Sequence, residues 1–155
     1  MRRLYGLIRF LLAPSPGSGW LPVAIRVVLG GVFIPTGLGK YVNHDVYIER
    51  FDRWGFPEPG SVAYFVGAIE VVFGLMALLA VAPRLAGLTL AGNMVGAFFT
   101  AGLVDGGQDL WLPPVMFVLA VGLVILGAGR LQLPHLVRGT PRIEALAARG
   151  ARNSP

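Results

Sequence analysis

The sequence contains no cysteine and only two histidines, His44 and His135. Without a thiol, the chain cannot itself perform disulfide exchange or hold an iron–sulfur cluster through thiolates. A haem held between two histidines on facing helices is also excluded, because both histidines lie outside the long apolar segments. No cluster of residues with metal-ligand spacing is visible, so no metal site is predicted.

Charge is scarce as well. Charged residues make up 14% of the chain and hydrophobic residues 55%, whereas soluble domains carry about 25% charged residues. Apolar runs of about 20 residues indicate membrane-spanning helices, and the sequence has four of them: Leu21–Gly39, Val62–Ala82, Leu85–Val104 and Leu112–Gly129. We therefore predict an all-α integral membrane protein, with a four-helix bundle over residues 21–130.

The net charge of +5 does not indicate a nucleic-acid partner, because the cations flank the predicted spans. Lysine and arginine in short loops set the orientation of membrane proteins, with the richer side in the cytoplasm. One side collects nine arginines: Arg2, Arg3, Arg9, Arg84, Arg130, Arg138, Arg142, Arg149 and Arg152. The other side has three cations: Lys40, Arg50 and Arg53. This difference predicts that both termini are cytoplasmic.

Two segments outside the spans have the pattern of interfacial helices. In residues 1–20 the leucines recur at helical spacing among arginines, which favours a cytoplasmic helix lying on an anionic leaflet. Between the first two spans, a second interfacial helix is predicted on the outer surface, with an apolar face of Val46, Ile48, Phe51 and Trp54. Residues 131–155 form a basic cytoplasmic tail.

Spans one to three each carry a stripe of small or polar residues at helical spacing. Such stripes mark the faces where helices approach closely in lipid. They comprise Arg26, Gly30, Phe33, Gly37 and Lys40 on span one; Ala63, Gly67, Glu70, Gly74 and Ala77 on span two; and Thr89, Asn93, Gly96 and Thr100 on span three. We expect these three stripes to face one another.

Glu70 and Arg26 are the residues most costly to place in the membrane, because a charge at a helix centre costs roughly 2.5–3.5 kcal/mol. From the helical rise we favour a pairing of Arg26 with Glu70, directly or through Asn93, with Lys40 as a second cation at the mouth of a pocket. Lys40 can also reach down past Gly37, so the alternative that Lys40 pairs with Glu70 stays open. Two interpretations stay open. The charges form an ion pair that fixes helix register, or they line a polar pocket for a quinone headgroup, a proton or a small anion.

Two stretches of the chain resemble the DoxX family of small four-span bacterial membrane proteins. They are "LGGVFIPTGLGK" and "GFPEPGSVAYFVGAIEVVFGLMALLAVAPRLAG", within a resemblance that runs from about Arg26 to Thr100. The positions that carry it are Arg26, Gly37, Lys40, Gly55, Phe56, Pro57, Glu70, Gly74 and Arg84.

The resemblance implies a multi-pass protein of the bacterial inner membrane. The family's name is tied to a thiosulfate:quinone oxidoreductase, and related actinobacterial proteins are associated with superoxide dismutase and a sulfurtransferase. It therefore implies soluble redox partners, a role in oxidative stress or sulfur redox balance, and a non-covalent quinone near Glu70 and Arg26. No covalent cofactor is predicted.

Three functions remain open from the sequence. The first is a redox-associated membrane subunit, an oxidoreductase subunit without its own thiol, haem or metal centre. The second is a small proton-coupled transporter that uses Glu70. The third is a structural or assembly protein. Whether the chain has an activity of its own, and whether it forms an oligomer, is not determined by the residues.

Overall fold

Residues 6, 10–11, 19–104 and 110–131 are described by the computed structural model, and they confirm the predicted all-α membrane fold. The helices are α1 (Leu21–Val42), α2 (His44–Arg53), α3 (Pro59–Leu78), α4 (Pro83–Ala97) and α5 (Leu112–Leu126). Helix α4 continues into a π-helical turn, Phe98–Gly102. The predicted N-terminal interfacial helix and basic tail fall almost entirely outside the described residues and stay predictions.

Among the described residues, three helical segments are long and apolar enough to cross a membrane: Leu21–Val42, Pro59–Leu78 and Pro83–Gly102. The predicted fourth span is shorter. Helix α5 has 15 residues, about 22 Å at the helical rise, and ends at Leu126 where the sequence analysis expected Gly129. Glycines after its end adopt positive φ, 73° at Gly127 and 74° at Gly129, which stops the helix. A fourth membrane crossing by α5 therefore stays a prediction.

The turn between α3 and α4 lies earlier than expected. Span two was predicted to run to Ala82 with Pro83 and Arg84 as the link, but α3 ends at Leu78 and Pro83 is already helical. Residues 79–82 make the turn, with positive φ at Ala80 and Ala82. Proline suits the first turn of a helix, where its missing N–H has no intrahelical partner, so Pro83 starts α4.

The four longer helices pack in a ring: α1 on α3, α3 on α4, α4 on α5, and α5 on α1. In the α1–α3 and α4–α5 contacts the main chains of the two helices approach each other closely. A Cβ added at Gly87 of α4 would lie 2.7 Å from the carbonyl oxygen of Ala120 in α5. The buried apolar core combines all four helices: Ile25, Leu29, Phe33, Ala77, Ala86, Leu90, Ala91, Met94, Met116, Ala120 and Leu123.

Helix α2 joins the end of α1 to the start of α3 and packs against α3. Its first residue, His44, stacks on Tyr64 of α3 with ring centroids 3.7 Å apart. The prediction of a helix here is confirmed, but part of the predicted outer face is wrong. Val46 is exposed as expected, whereas Phe51 is only 4% exposed and packs against Trp54 and Phe56.

Candidate functional site

The centre of the candidate site is an ion pair between α1 and α3. Lys40 Nζ lies 2.5 Å from Glu70 Oε2, and the two residues are 7% and 5% exposed. Lys40 Nζ also donates to the carbonyl oxygen of Thr36 at 3.4 Å and lies 5.0 Å from the ring centroid of Tyr47. An ammonium group carries three donors, and the described residues accept from two of them, so one N–H can serve a further acceptor.

Close contact between α1 and α3 holds this pair together. A Cβ added at Gly37 would lie 2.8 Å from the carbonyl oxygen of Gly67 and 3.0 Å from Glu70 Cβ. A Cβ added at Gly67 would lie 3.2 Å from Lys40 Cβ. The two glycines therefore let the backbones meet directly beside the ion pair, as small residues do in membrane helix packing. The stripes predicted for spans one and two are buried in these two helices.

Asn93 of α4 is the third polar member of the site. Its Nδ2 donates to Glu70 Oε1 at 3.1 Å, so each carboxylate oxygen has a partner. The rest of the stripe predicted for span three is not the packing face of α4. Gly96 is exposed and Thr89 and Thr100 are half-buried. The face that packs into the bundle instead comprises Pro83, Ala86, Gly87, Leu90, Ala91 and Met94.

A cavity of about 510 Å³ adjoins the ion pair. Its lining is mostly apolar, and its polar residues include the Lys40, Glu70 and Asn93 cluster as well as Thr36 and Thr100. A mostly apolar cavity of this size with a few convergent polar groups is the usual form of a small-molecule site. The cavity also includes residues of the π-helical turn, a feature that often occurs at functional sites.

Helix α2 contributes residues to this cavity that were not among the predicted site residues. Tyr47, Arg50, Phe51 and Trp54 line it, and the Arg50 guanidinium lies 5.6 Å from the Tyr47 ring centroid. Their spacing of i, i+3, i+4 and i+7 places them on one helical face. That periodicity was the available signal, but sequence alone could not show that this face turns inward to the bundle and away from the lipid surface.

The predicted pairing of Arg26 with Glu70 is wrong. Arg26 is buried at the other end of α1 and donates four hydrogen bonds to main-chain carbonyls: Ala77 at 2.8 Å, Leu78 at 2.6 Å, Ala128 at 2.7 Å and Leu131 at 2.6 Å. These carbonyls belong to the end of α3 and to the chain after α5, where the last turns of helices leave carbonyls without partners. Five donors in a rigid fork suit this task, and Arg26 does not line the cavity.

The fold and this site define a helical membrane protein with a buried ion pair beside an apolar cavity. Within residues 19–104 and 110–131, no group of three or more His, Asp or Glu side chains is arranged to hold a metal ion. The sequence model of the DoxX family matches residues 21–103, more than half of the chain. The chain belongs to the DoxX family.

Two curated relatives match over about half of the chain. An uncharacterized membrane protein of Mycobacterium tuberculosis is 36% identical over 90 residues, covering 57% of this chain and 53% of that protein. CatD of Bacillus subtilis, named provisionally as an oxidoreductase, is 32% identical over 79 residues, covering 51% of this chain and 58% of CatD. The chain thus spans little more than half the length of the curated relatives that it matches. No solved structure gives a significant match.

Proposed function

We propose that this protein is a redox-associated membrane subunit whose cavity binds the headgroup of a membrane quinone. The observation that carries the proposal is the meeting of the Lys40–Glu70–Asn93 cluster with a largely apolar cavity of about 510 Å³. Two charges buried in a lipid-embedded bundle are costly. A role beyond helix packing is favoured because both line a space that a ligand can occupy.

The cluster fits the chemistry of a quinone headgroup. Reduction of a quinone to its quinol takes up two electrons and two protons. The free N–H of Lys40 can donate a hydrogen bond to a carbonyl oxygen, and the Glu70 carboxyl can take up and release protons beside it. Asn93 holds the carboxylate through its Nδ2. The chain has no thiol of its own to carry electrons, and the family resemblance suggests that a soluble redox partner supplies them from a reduced-sulfur donor.

Two observations support this choice over a proton-coupled transporter. The core between the ion pair and the Arg26 end of the bundle is apolar, with Leu29, Phe33 and Leu90 almost fully buried. Arg26 itself closes that end by bonding to the end of α3 and to the chain after α5. Both features favour a pocket open at one side of the membrane. The relationship to CatD adds support for a redox role.

The proposed orientation places both termini in the cytoplasm of a bacterial cell, with the protein in the inner membrane. Arg84, at the start of α4, and Arg130, after α5, lie at the same end of the bundle as Arg26. Helix α2 and its arginines lie at the opposite end, so the cavity is expected to face the outer leaflet. A superoxide dismutase and a sulfurtransferase are the soluble partners proposed from the family resemblance.

The test replaces Glu70 by glutamine in membranes that contain the protein and its partners. Glutamine keeps the shape of the side chain but cannot exchange a proton, so thiosulfate- or thiol-dependent quinone reduction should fall at least about 100-fold. Glu58→Gln is the matched control, because Glu58 is exposed and does not line the cavity. Unchanged quinone reduction and unchanged peroxide tolerance in Glu70→Gln cells would sink the proposed role.

A further inference from the structure

The glycines of the bundle differ in how closely their neighbours approach. At Gly37, Gly67 and Gly87, an added Cβ would lie about 3 Å or less from a neighbouring atom, so close helix packing requires the missing side chain. At Gly92 and Gly96 of α4, an added Cβ would meet nothing within 4 Å. Glycine is less favourable than alanine inside a helix, so packing gives no reason for these two residues.

Gly92 and Gly96 both line the cavity and are both exposed. They are four residues apart and therefore lie on one face of α4, one turn apart. On the neighbouring helix α3, Phe65 also lines the cavity and is 66% exposed. The cavity wall between α3 and α4 thus has exposed residues on both helices, and the two exposed lining residues of α4, Gly92 and Gly96, carry no side chain.

We propose that the cavity opens to lipid between α3 and α4 across Gly92 and Gly96, and that its ligand is an amphiphile whose apolar tail leaves through this opening. This inference rests on the proposed function and specifies the ligand as a tailed quinone dissolved in the bilayer. Gly92 and Gly96 are then specificity-determining residues, because they leave room for the tail above the α4 backbone.

The position of the polar groups agrees with this arrangement. Asn93 lies between the two glycines in the sequence and reaches Glu70, so the opening is directly beside the ion pair. A headgroup that accepts a hydrogen bond from Lys40 therefore has a short path from the cavity to the lipid. Apolar residues of α3, Val62 and Val66, line the same wall and offer an apolar surface to a hydrocarbon tail.

The experiment fills the opening without disturbing the fold. Gly96→Leu places a side chain into open space, so the melting temperature in nanodiscs should not fall. Gly31→Leu is the matched control, because Gly31 is exposed, has nothing within 4 Å of an added Cβ, and does not line the cavity. Binding of decylubiquinone and of a tailless benzoquinone is measured by quenching of tryptophan fluorescence, since Trp54 lines the cavity.

We expect Gly96→Leu to weaken decylubiquinone binding at least tenfold and tailless benzoquinone binding less than threefold, with both unchanged in Gly31→Leu. Equal loss of both ligands would overturn the tail route, because the leucine would then displace the headgroup. Unchanged binding of both would overturn it as well. After either of these two outcomes the proposed function still stands, provided that the wild-type protein binds quinone. Failure of the wild type to bind any quinone would contradict the proposed function itself.

Discussion

Helix α1 buries two cations, Arg26 and Lys40, to nearly the same extent, 5% and 7% exposed. They lie near opposite ends of the helix and meet different groups. Within the described part of the chain Arg26 bonds to main-chain carbonyls alone, whereas Lys40 pairs with the ionisable side chain of Glu70 beside a cavity. A peptide carbonyl neither gains nor loses a proton near neutral pH. Burial alone therefore does not distinguish a structural cation from one that can take part in chemistry. The group that the cation contacts does distinguish them.

The difference follows from the two side chains. Arginine is planar, stays charged and offers a rigid fork of donors, so a single guanidinium can join the ends of α3 and α5. Lysine is a compact charge on a flexible stem with three rotatable donors, so Lys40 can pair with Glu70 and still reach a further acceptor. The Arg26 end of the bundle is thus expected to determine stability, and the Lys40 end ligand binding.

The largest expected effect is on stability at the Arg26 end. Arg26→Met leaves four carbonyl acceptors without their donor, and each unsatisfied buried group costs about 1–3 kcal/mol. Since two of the four bonds are only partly buried, we expect a loss of about 3–5 kcal/mol in the free energy of unfolding. Chemical denaturation in mild detergent measures it.

Arg26→Lys is the control for charge in that experiment. It keeps the positive charge but not the fork, so it should recover less than half of the lost stability. Quinone affinity of the folded Arg26→Met protein should match the wild type, because Arg26 does not line the cavity. A folded variant that had lost quinone affinity would mean that the two ends of α1 are not separate in function.

The second effect concerns the ion pair. Lys40→Met or Glu70→Leu alone leaves one buried charge unpaired, which costs about 3–5 kcal/mol in a sealed interior. The remaining group keeps one hydrogen bond, from Lys40 to the Thr36 carbonyl or from Asn93 to Glu70, so we expect about 2–3 kcal/mol for each single variant. The double variant should lose less stability than the sum of the single variants, by about 1–2 kcal/mol.

Ligand binding separates the two interpretations of this pair. If Lys40 and Glu70 only fix helix register, the double variant keeps quinone affinity and partner binding together with its stability. We expect instead that quinone binding is lost in all three variants, which an equilibrium titration in nanodiscs measures. Retained affinity in the double variant would reduce the pair to a packing element.

The smallest expected effect is at the helix crossing beside the pair. Gly37→Ala forces a Cβ to within 2.8 Å of the Gly67 carbonyl oxygen and of a Val71 methyl group. Overpacking of this kind costs about 1–3 kcal/mol, and the separation of α1 and α3 should weaken the Lys40–Glu70 contact and quinone affinity together. Gly31→Ala, on the open face of α1, should change neither quantity. If Gly37→Ala left stability and quinone affinity unchanged, close packing of α1 and α3 would not be what positions Lys40 and Glu70.

The buried faces of α1 and α3 were predictable because helical periodicity depends only on residue order. All five residues of the Glu70 stripe are buried as expected. The face of α4 was not predictable in the same way, since its polar stripe borders a cavity and its packing face is made of ordinary apolar residues. Small and polar residues occur both on packing faces and on cavity walls, and a single sequence does not show which of the two a stripe forms.

The sequence by itself determined the membrane class, the all-helical fold, the family resemblance and the choice of Glu70, Arg26, Lys40 and Asn93 as candidate residues. The resemblance rests on matching motif residues, and the other conclusions rest on composition and on spacing along one helix, which are local properties. The tertiary structure decided which cation meets Glu70, because that depends on helix crossing and depth, which straight-helix estimates misjudged. It also decided that α2 closes the cavity and that Arg26 joins helix ends, since both involve contacts between segments far apart in the chain.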